Sequence, residues 1–404
     1  MTIPKLRFKE FCSEYNEYNL GKLLKSYRLG GNYSNSEIKT NFPLIKMGNL
    51  NRGSINLSKI EYIPNDEIIN DEDRIQLGDL FFNTRNTLEL VGKVAIWRNE
   101  LPVAYYNSNL MRLEFENNFY MNFLLNTEKS LEKLKAIASG TTSVAAIYTK
   151  DLLKVKVKVP FVDEQTKIAT FLSAVDEKIS QLTQKHQLLS QYKQGMMQKL
   201  FSQQIRFKAD DGSEFGEWED KRISEIASYR RGSFPQPYGL PEWLNENGFP
   251  FVQVYDVADN MLLKDKTKIK ISQLAANQSV FAKTGTLIIT LQGSIGRVAK
   301  MQYDAYVDRT LLIFQSYSMP INTDYFKYAL YLLFNIEKEK ADGGIIKTIT
   351  KETLSKFNIG IPCLEEQTKI ANFLSAIDQK IEVVAQQIEQ AKQWKKGLLQ
   401  QMFV

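Results

Sequence analysis

Two stretches of the chain repeat one pattern of hydrophobic positions. Across Pro160–Phe201, apolar residues recur at Ile168, Leu172, Val175, Ile179, Leu182, Leu189, Met196 and Leu200. Across Pro362–Phe403 they recur at Ile370, Leu374, Ile377, Ile381, Val384, Ile388, Ala391, Leu398 and Met402. The steps alternate three and four or skip a heptad, which predicts a coiled-coil seam rather than a broad amphipathic face. Gln, Lys and Glu fill the outer positions. Pro160 and Pro362 stand just before each helix, where proline marks the start without breaking it. Asp163-Glu164 and Glu365-Glu366 put acid in the first turn, and Lys199 lies in the last turn of the first copy, as the helix dipole favours. Each helix of about 40 residues is roughly 60 Å long at ~1.5 Å per residue.

The two segments align without a gap at a shift of 202, with about half the positions identical. The repeat extends into the flanks. Leu6-Arg7-Phe8-Lys9 matches Ile205-Arg206-Phe207-Lys208, and Gly78-Asp79-Leu80-Phe81-Phe82 matches Gly285-Thr286-Leu287-Ile288-Ile289. A period near 200 residues is far too long for a solenoid unit and describes a duplicated domain-plus-helix module. A lone helix with such a seam needs a partner, and the other copy is the natural one. With a domain between them, the helices are expected to fold back as an antiparallel pair holding the domains at a fixed separation. Lys193 and Lys395 fall on the seam line, where they mark a change in the coil or meet a partner. His186, the single histidine, also falls there; it reads as a seam residue tuning register, with a catalytic role as the other possibility.

Outside the two long helices the pattern changes. Leu80-Phe81-Phe82, Val94–Trp97, Thr286–Thr290 and Leu311–Phe314 read as short strands. Met121–Ala138 and Asp324–Lys340 read as helices, and Lys154–Val159 alternates as a half-exposed strand does, with Phe357–Ile361 in its place in the second copy. The predicted class is α+β: two α/β domains, 1–160 and 204–362, alternating with long helices 161–203 and 363–404 in a pseudo-two-fold internal repeat.

At 404 residues the chain is long enough for two or three domains with their own cores. Composition is ordinary for a soluble globular protein, with 43% hydrophobic and 24% charged residues. No apolar run approaches the ~18 residues of a membrane span, and Met1–Lys9 lacks the apolar core of a secretory signal, so a cytoplasmic location is expected. Cys12 and Cys363 are too few for a disulfide framework or a zinc cluster. The formal charge of +6 points mildly to a polyanionic partner.

The candidate chemistry is that of recognition. In the first domain, Arg28, Asn32, Lys46, Asn49, Arg52, Asn83, Arg85 and Asn86 lie between strands, with Tyr105, Tyr106 and Asn107. In the second, Tyr229, Arg230, Arg231, Gln236, Gln253, Tyr255, Gln292, Ser294, Arg297 and Arg309 do so. Arg, Asn and Gln have the fork or amide geometry for bidentate base contacts, and Lys and Ser suit phosphates. Solvated loops have a similar composition; the interleaving with tyrosine in both halves favours nucleic acid. No GxxxxGK[ST] loop is present, and Gln292–Arg297 holds only a GxxG, read as a turn between strands. One histidine argues against histidine catalysis and histidine-rich metal sites.

The order domain, helix, domain, helix resembles the specificity subunit of type I restriction–modification systems. The resemblance covers essentially the whole chain. It rests on P-x-x-[DE]-E-Q-x-K-I-A-x-F-L at Pro160–Leu172 and Pro362–Leu374, on K-x-G-x-x-Q-x-x-F at Lys193–Phe201 and Lys395–Phe403, and on the Leu6-Arg7-Phe8 opening echoed at Ile205–Phe207. It implies a non-catalytic DNA-recognition subunit in a host-defence system. Each domain would read one half of a bipartite, asymmetric double-stranded DNA target, and the coiled coil would set the gap. Two methyltransferase subunits would dock on the frame and methylate adenine with S-adenosylmethionine, and motor-nuclease subunits would use ATP and Mg²⁺. The chain itself would bind no cofactor and no metal. Members often carry Gly followed closely by Gln or Lys in the loop before the last strand. Here Gly140-Thr141-Thr142-Ser143 offers hydroxyls, whereas Gly343–Lys347 offers Lys347 to DNA. The competing readings are a coiled-coil scaffold that binds proteins alone, and a fused methyltransferase or nuclease. For a DNA reader, affinity falls steeply with salt, roughly in proportion to the phosphates contacted; a flat response with no DNA bound defines the scaffold. Binding of S-adenosylmethionine by the isolated chain would favour the fused enzyme.

Overall fold

The apolar run Leu80-Phe81-Phe82 lies in the strand Leu80–Asn83, and its pleat sends Leu80 and Phe82 into one core and Phe81 into another. Its sheet is therefore covered on both faces, and an unbroken apolar run replaces alternation. The structure, a computed structural model, describes residues 3–292, 295–340 and 351–404. The chain divides into two compact units, Met1–Gln184 with Ala385–Val404, and Lys185–Val384.

In the first unit the main sheet is antiparallel, in the order Ser26–Leu29, Leu110–Glu114, Leu80–Asn83, Val94–Ile96. A second sheet runs Glu61–Tyr62, Pro43–Ile45, Tyr105–Tyr106, the last pair parallel. Asn16–Asn19 pairs with Lys156–Val159, and a small ladder joins Ser139–Gly140, Ala145–Ala146 and Arg85–Asn86.

The second unit repeats the main-sheet order and the parallel pair of the second sheet, to which it adds a fourth strand. Its main sheet runs Ala227–Arg231, Leu311–Tyr317, Leu287–Thr290, Val298–Lys300. Its second sheet runs Ile269–Ile271, Leu244–Val252, Ala305–Val307, Val280–Ala282, with the middle pair parallel, and Glu219–Arg222 pairs with Asn358–Ile361. Unlike sequences thus fold to one topology. The close approaches repeat as well: a Cβ on Gly30 would stand 2.3 Å from the Tyr106 carbonyl oxygen, and one on Gly232 would stand 2.2 Å from that of Val307. Only glycine fits at either crossing.

The predicted helix over Met121–Ala138 is two helices, Asn118–Leu125 and Glu128–Ala136. Thr127 breaks the run because its hydroxyl caps the second helix, accepting from the Ser130 N–H at 3.3 Å. The other predicted helix is Thr323–Lys340.

The long helices are Val162–Phe201 and Leu364–Met402. The first half of one packs with the second half of the other in each unit. In the first unit Ile168, Leu172 and Val175 share a core with Leu398, Met402 and Phe403 and with Tyr120, Phe123 and Leu124 beneath the sheet. In the second, Ile370, Leu374 and Ile377 share a core with Met197 and Leu200 and with Tyr325 and Phe326. The seam positions thus also serve the domain cores. Leu182, Val384 and Ile388 are buried, while Ile179, Leu189 and Ile381 are half-buried.

The motif residues hold these joints. Arg7 Nε and Nη2 donate to the two oxygens of Glu164 at 2.8 and 2.7 Å, and Arg206 does the same to Glu366 at 3.0 and 2.7 Å. The next residue in each helix, Gln165 or Gln367, donates its amide to the carbonyl of Pro160 or Pro362 at 2.9 Å. These contacts account for the L-R-F opening and the P-x-x-[DE]-E-Q start. Lys395 Nζ lies 2.5 Å from Asp176 in the first unit, and Lys193 Nζ lies 2.5 Å from Asp378 in the second. The lysines on the seam line are therefore interhelix ion pairs. Burial pushes the Lys193 ammonium below its ordinary value, against Asp378, which favours the charge. Each pair specifies one register, since a slipped helix would strand a half-buried charge. His186 is half-buried, and its main-chain carbonyl accepts from Ser190 Oγ at 2.9 Å.

Candidate nucleic-acid interface

The turn after the parallel strand is built alike in both units. In the first, the Asn49 side-chain oxygen accepts from the Lys46 N–H at 2.9 Å, and its amide donates to the carbonyls of Asn56 and Lys59 at 3.0 and 2.8 Å. In the second, Asp256 accepts from the Gln253 N–H at 2.8 Å and the Lys268 N–H at 2.9 Å. Burial raises the Asp256 carboxyl above its ordinary value. These turns place Lys46 and Gln253 at equivalent positions of the chain.

In the first unit, Arg28 is paired with Glu72 and Asp73, and Tyr33 donates to Asp73 at 2.6 Å. Lys46 is paired with Glu61 at 2.7 Å. Arg52 is half-buried, donates to the Glu89 carbonyl at 3.1 Å and has its guanidinium pushed below its ordinary value by burial. Asn32 and Arg85 are exposed, and Asn86 is half-buried, accepting from the Thr87 N–H at 2.8 Å.

Four expected contacts are corrected in this unit. Asn49, at 5% exposure, is occupied by the turn. Asn83 is fully buried at the end of its strand, with Oδ1 accepting from the Arg85 N–H. Tyr106, also fully buried, packs its ring 4.9 Å from Phe81 and beneath the Arg112 guanidinium. Tyr105 is buried with Leu44 and Ile63. All four hold the fold and present no edge to a ligand. Asn107 is buried as well and accepts from the Asn109 N–H at 3.3 Å.

In the second unit, Arg230, Arg231, Gln236 and Gln292 are exposed. Tyr229 is buried against Phe314. Arg297 is half-buried, donating to the Val257 carbonyl at 3.1 Å and pairing with Asp259 at 2.7 Å. Gln253, Tyr255 and Arg309 come together with three residues that sequence reasoning missed, Tyr238, Lys268 and Asp308. The Arg309 guanidinium lies 5.3 Å from the Tyr238 ring centre, and the Lys268 ammonium 4.8 Å from that of Tyr255. Ser294 and Lys347 lie outside the described residues. Among those described, no group of three or more His, Cys, Asp or Glu is placed to hold a metal, and no helix is long and apolar enough to cross a membrane.

Two sheet units of one topology, each with a polar and aromatic loop cluster and each packed on both long helices, define a duplicated recognition frame. A family model described as type I restriction modification DNA specificity domain matches residues 13–191 and again 216–393, and the chain belongs to that family. It is accordingly a specificity subunit of a type I restriction–modification system, carrying DNA target recognition, and catalysis resides in the methyltransferase and restriction subunits. The putative type I restriction enzyme MjaX specificity subunit of Methanocaldococcus jannaschii is 26% identical over 98% of this chain and 94% of its own length. The MjaVIII specificity subunit of the same organism is 26% identical over 85% of this chain and 81% of its own. A crystal structure of the type I restriction–modification S subunit from M. genitalium has the same fold, with a TM-score of 0.65 at 15% identity, over 100% of this chain and 99% of that one. A chain from a structural study of type I complex assembly and conformational transition matches with a TM-score of 0.55 at 17% identity, over 95% of this chain and 96% of that one.

Proposed function

We propose that each unit reads one half of a bipartite, asymmetric DNA target, that the paired long helices set the gap, and that the frame docks two adenine methyltransferase subunits and the motor-nuclease subunits. The reading domains are 1–160 and 204–362, and the spacer helices are 161–203 and 363–404. These functional boundaries differ from the compact units because each sheet packs on segments of both helices. The complex works in the cytoplasm, with S-adenosylmethionine, ATP and Mg²⁺ used by the partner subunits. What supports this reading is one topology carrying unlike side chains at equivalent turn positions: Lys46 against Gln253, and Gly48 against Tyr255. Two half-sites of different sequence require such a difference. The DNA-contacting set is Arg28, Asn32, Lys46, Arg52, Arg85 and Asn86 in the first unit. In the second it is Arg230, Arg231, Gln236, Gln253, Tyr255, Gln292, Arg297 and Arg309, with Ser294 and Lys347.

The test is a map of methylated adenines in host DNA with and without this gene. The expected result is one bipartite motif of fixed gap that loses methylation on deletion. Exchanging residues 212–361 for those of another family member is expected to change one half-site and leave the other and the gap intact. Methylation unchanged by deletion, or both half-sites altered by the exchange, would overturn the reading.

A further inference from the structure

In the second unit a one-directional chain of hydrogen bonds ends on an amide at the surface. Asp308 is 2% exposed, and one of its oxygens accepts from the Thr310 N–H at 2.9 Å and the Thr310 hydroxyl at 2.5 Å. Its other oxygen accepts from the Tyr238 hydroxyl at 2.7 Å. Burial, then the Asp308 contact, hold the Tyr238 phenol far above its ordinary range, so it keeps its proton. With that proton committed to a carboxylate, the Tyr238 oxygen can only accept from a second partner. The partner is Gln253 Nε2, at 2.8 Å. On the amide's other side, Tyr255 donates its hydroxyl to Gln253 Oε1. Tyr238 therefore selects one of the two flip states of the Gln253 amide, and Tyr255 supports it by donating to the oxygen.

Gln165 and Gln367, which serve the fold, spend their amides on the main chain. Gln367 donates to the Pro362 carbonyl and accepts from the Asn322 N–H, both at 2.9 Å. Gln253 is instead held by two side chains that are each about 40% exposed, Tyr238 at 44% and Tyr255 at 40%. Beyond these two bonds the half-buried Gln253 amide keeps one N–H and one oxygen lone pair. A donor beside an acceptor complements the N7 acceptor and N6 donor of adenine in the major groove; guanine presents two acceptors there. The cations stacked on the two phenol rings, Arg309 and Lys268, are suited to flanking phosphates.

We propose that Gln253 reads an adenine in the half-site recognised by the second unit, with Tyr238 and Tyr255 as positioning residues that lock its amide. This rests on the division of half-sites proposed above. The experiment selects randomised DNA with the assembled complex and sequences the bound fraction. Gln253→Ala and Gln253→Glu are expected to lose adenine preference at one position of the second half-site by about 10- to 100-fold, Gln253→Glu turning toward cytosine, which offers a donor. Tyr238→Phe keeps the ring and releases the flip, so adenine preference at that same position falls while the first half-site is unchanged. Arg309→Ala is expected to weaken binding evenly across sequences and reduce the salt slope by about one, leaving the motif intact. A wild-type bipartite motif that persists unaltered in both Gln253 variants overturns this proposal and leaves the two-half-site reading standing. A wild-type complex that selects no bipartite motif overturns that reading and this proposal with it.

Discussion

Glu366→Ala is expected to lower the stability of the second unit by about 3 kcal/mol, the cost of breaking a buried ion pair from one side. Glu366 is fully buried in the first turn of its long helix. It accepts from Arg206 Nε at 3.0 Å, Arg206 Nη2 at 2.7 Å and Trp218 Nε1 at 3.0 Å. The glutamate hydrogen bond is the main reason the Arg206 guanidinium is held above its ordinary value. Deleting the carboxylate leaves that charge beside a hydrophobic joint, with the Gly216 carbonyl, at 2.7 Å, as its remaining acceptor. The helix start also loses an acid that its dipole favours. Glu366→Gln keeps the shape and one acceptor and is expected to cost less. Urea unfolding followed by tryptophan fluorescence suits the measurement, because Trp218 touches the site. A change under about 0.5 kcal/mol, the range of ordinary surface substitutions, would show that the clasp is not structural. Glu164→Ala is expected to act likewise on the first unit, through Arg7 and Tyr15.

Inserting four residues after Gln184 together with four after Gln386 is expected to lengthen the gap of the methylated motif without changing either half-site. Four helical residues add ~6 Å, against ~3.4 Å per base pair, so the gap should grow by about one or two base pairs. The insertion is matched because Asp176–Lys395 and Lys193–Asp378 each fix a register on one side of these points. An insertion in the first helix alone sets the two pairs against one another, and loss of methylation is expected. Methylome sequencing reads all these outcomes. An altered half-site would refute the division of labour, and an unaltered gap would refute the spacer.

The two helices and the duplication were legible because heptad spacing and a long gapless repeat are local signals. Ile168, Leu172, Ile370 and Leu374 are buried where the period places them. The sites were less legible. Asn83 and Tyr106 stand beside residues of loop character, and their types suit base contacts. They are buried because both faces of the first unit's main sheet are covered, one by Leu80 and Phe82 with Tyr120, the other by Phe81 with Trp97. That covering comes from segments distant in the chain. Gln253, Tyr255 and Arg309 were legible from their types, but their partners Tyr238, Lys268 and Asp308 were missed for the same reason. Tyr238, Gln253, Lys268 and Asp308 lie in separate loops, and nothing in their spacing announces a hydrogen-bond chain.

Periodicity and repetition along the chain were enough to determine two long helices, two domains alternating with them and a resemblance to one family, since each depends on neighbours three, four or seven residues apart or on direct comparison of two segments. Tertiary structure alone decided that the unlike halves share one main-sheet strand order, that Lys193 and Lys395 find Asp378 and Asp176 across the helix pair, and that the Gln253 amide is held between two tyrosine hydroxyls. Those outcomes depend on contacts between residues far apart in the chain, whose energies are set by burial and geometry that no local pattern records.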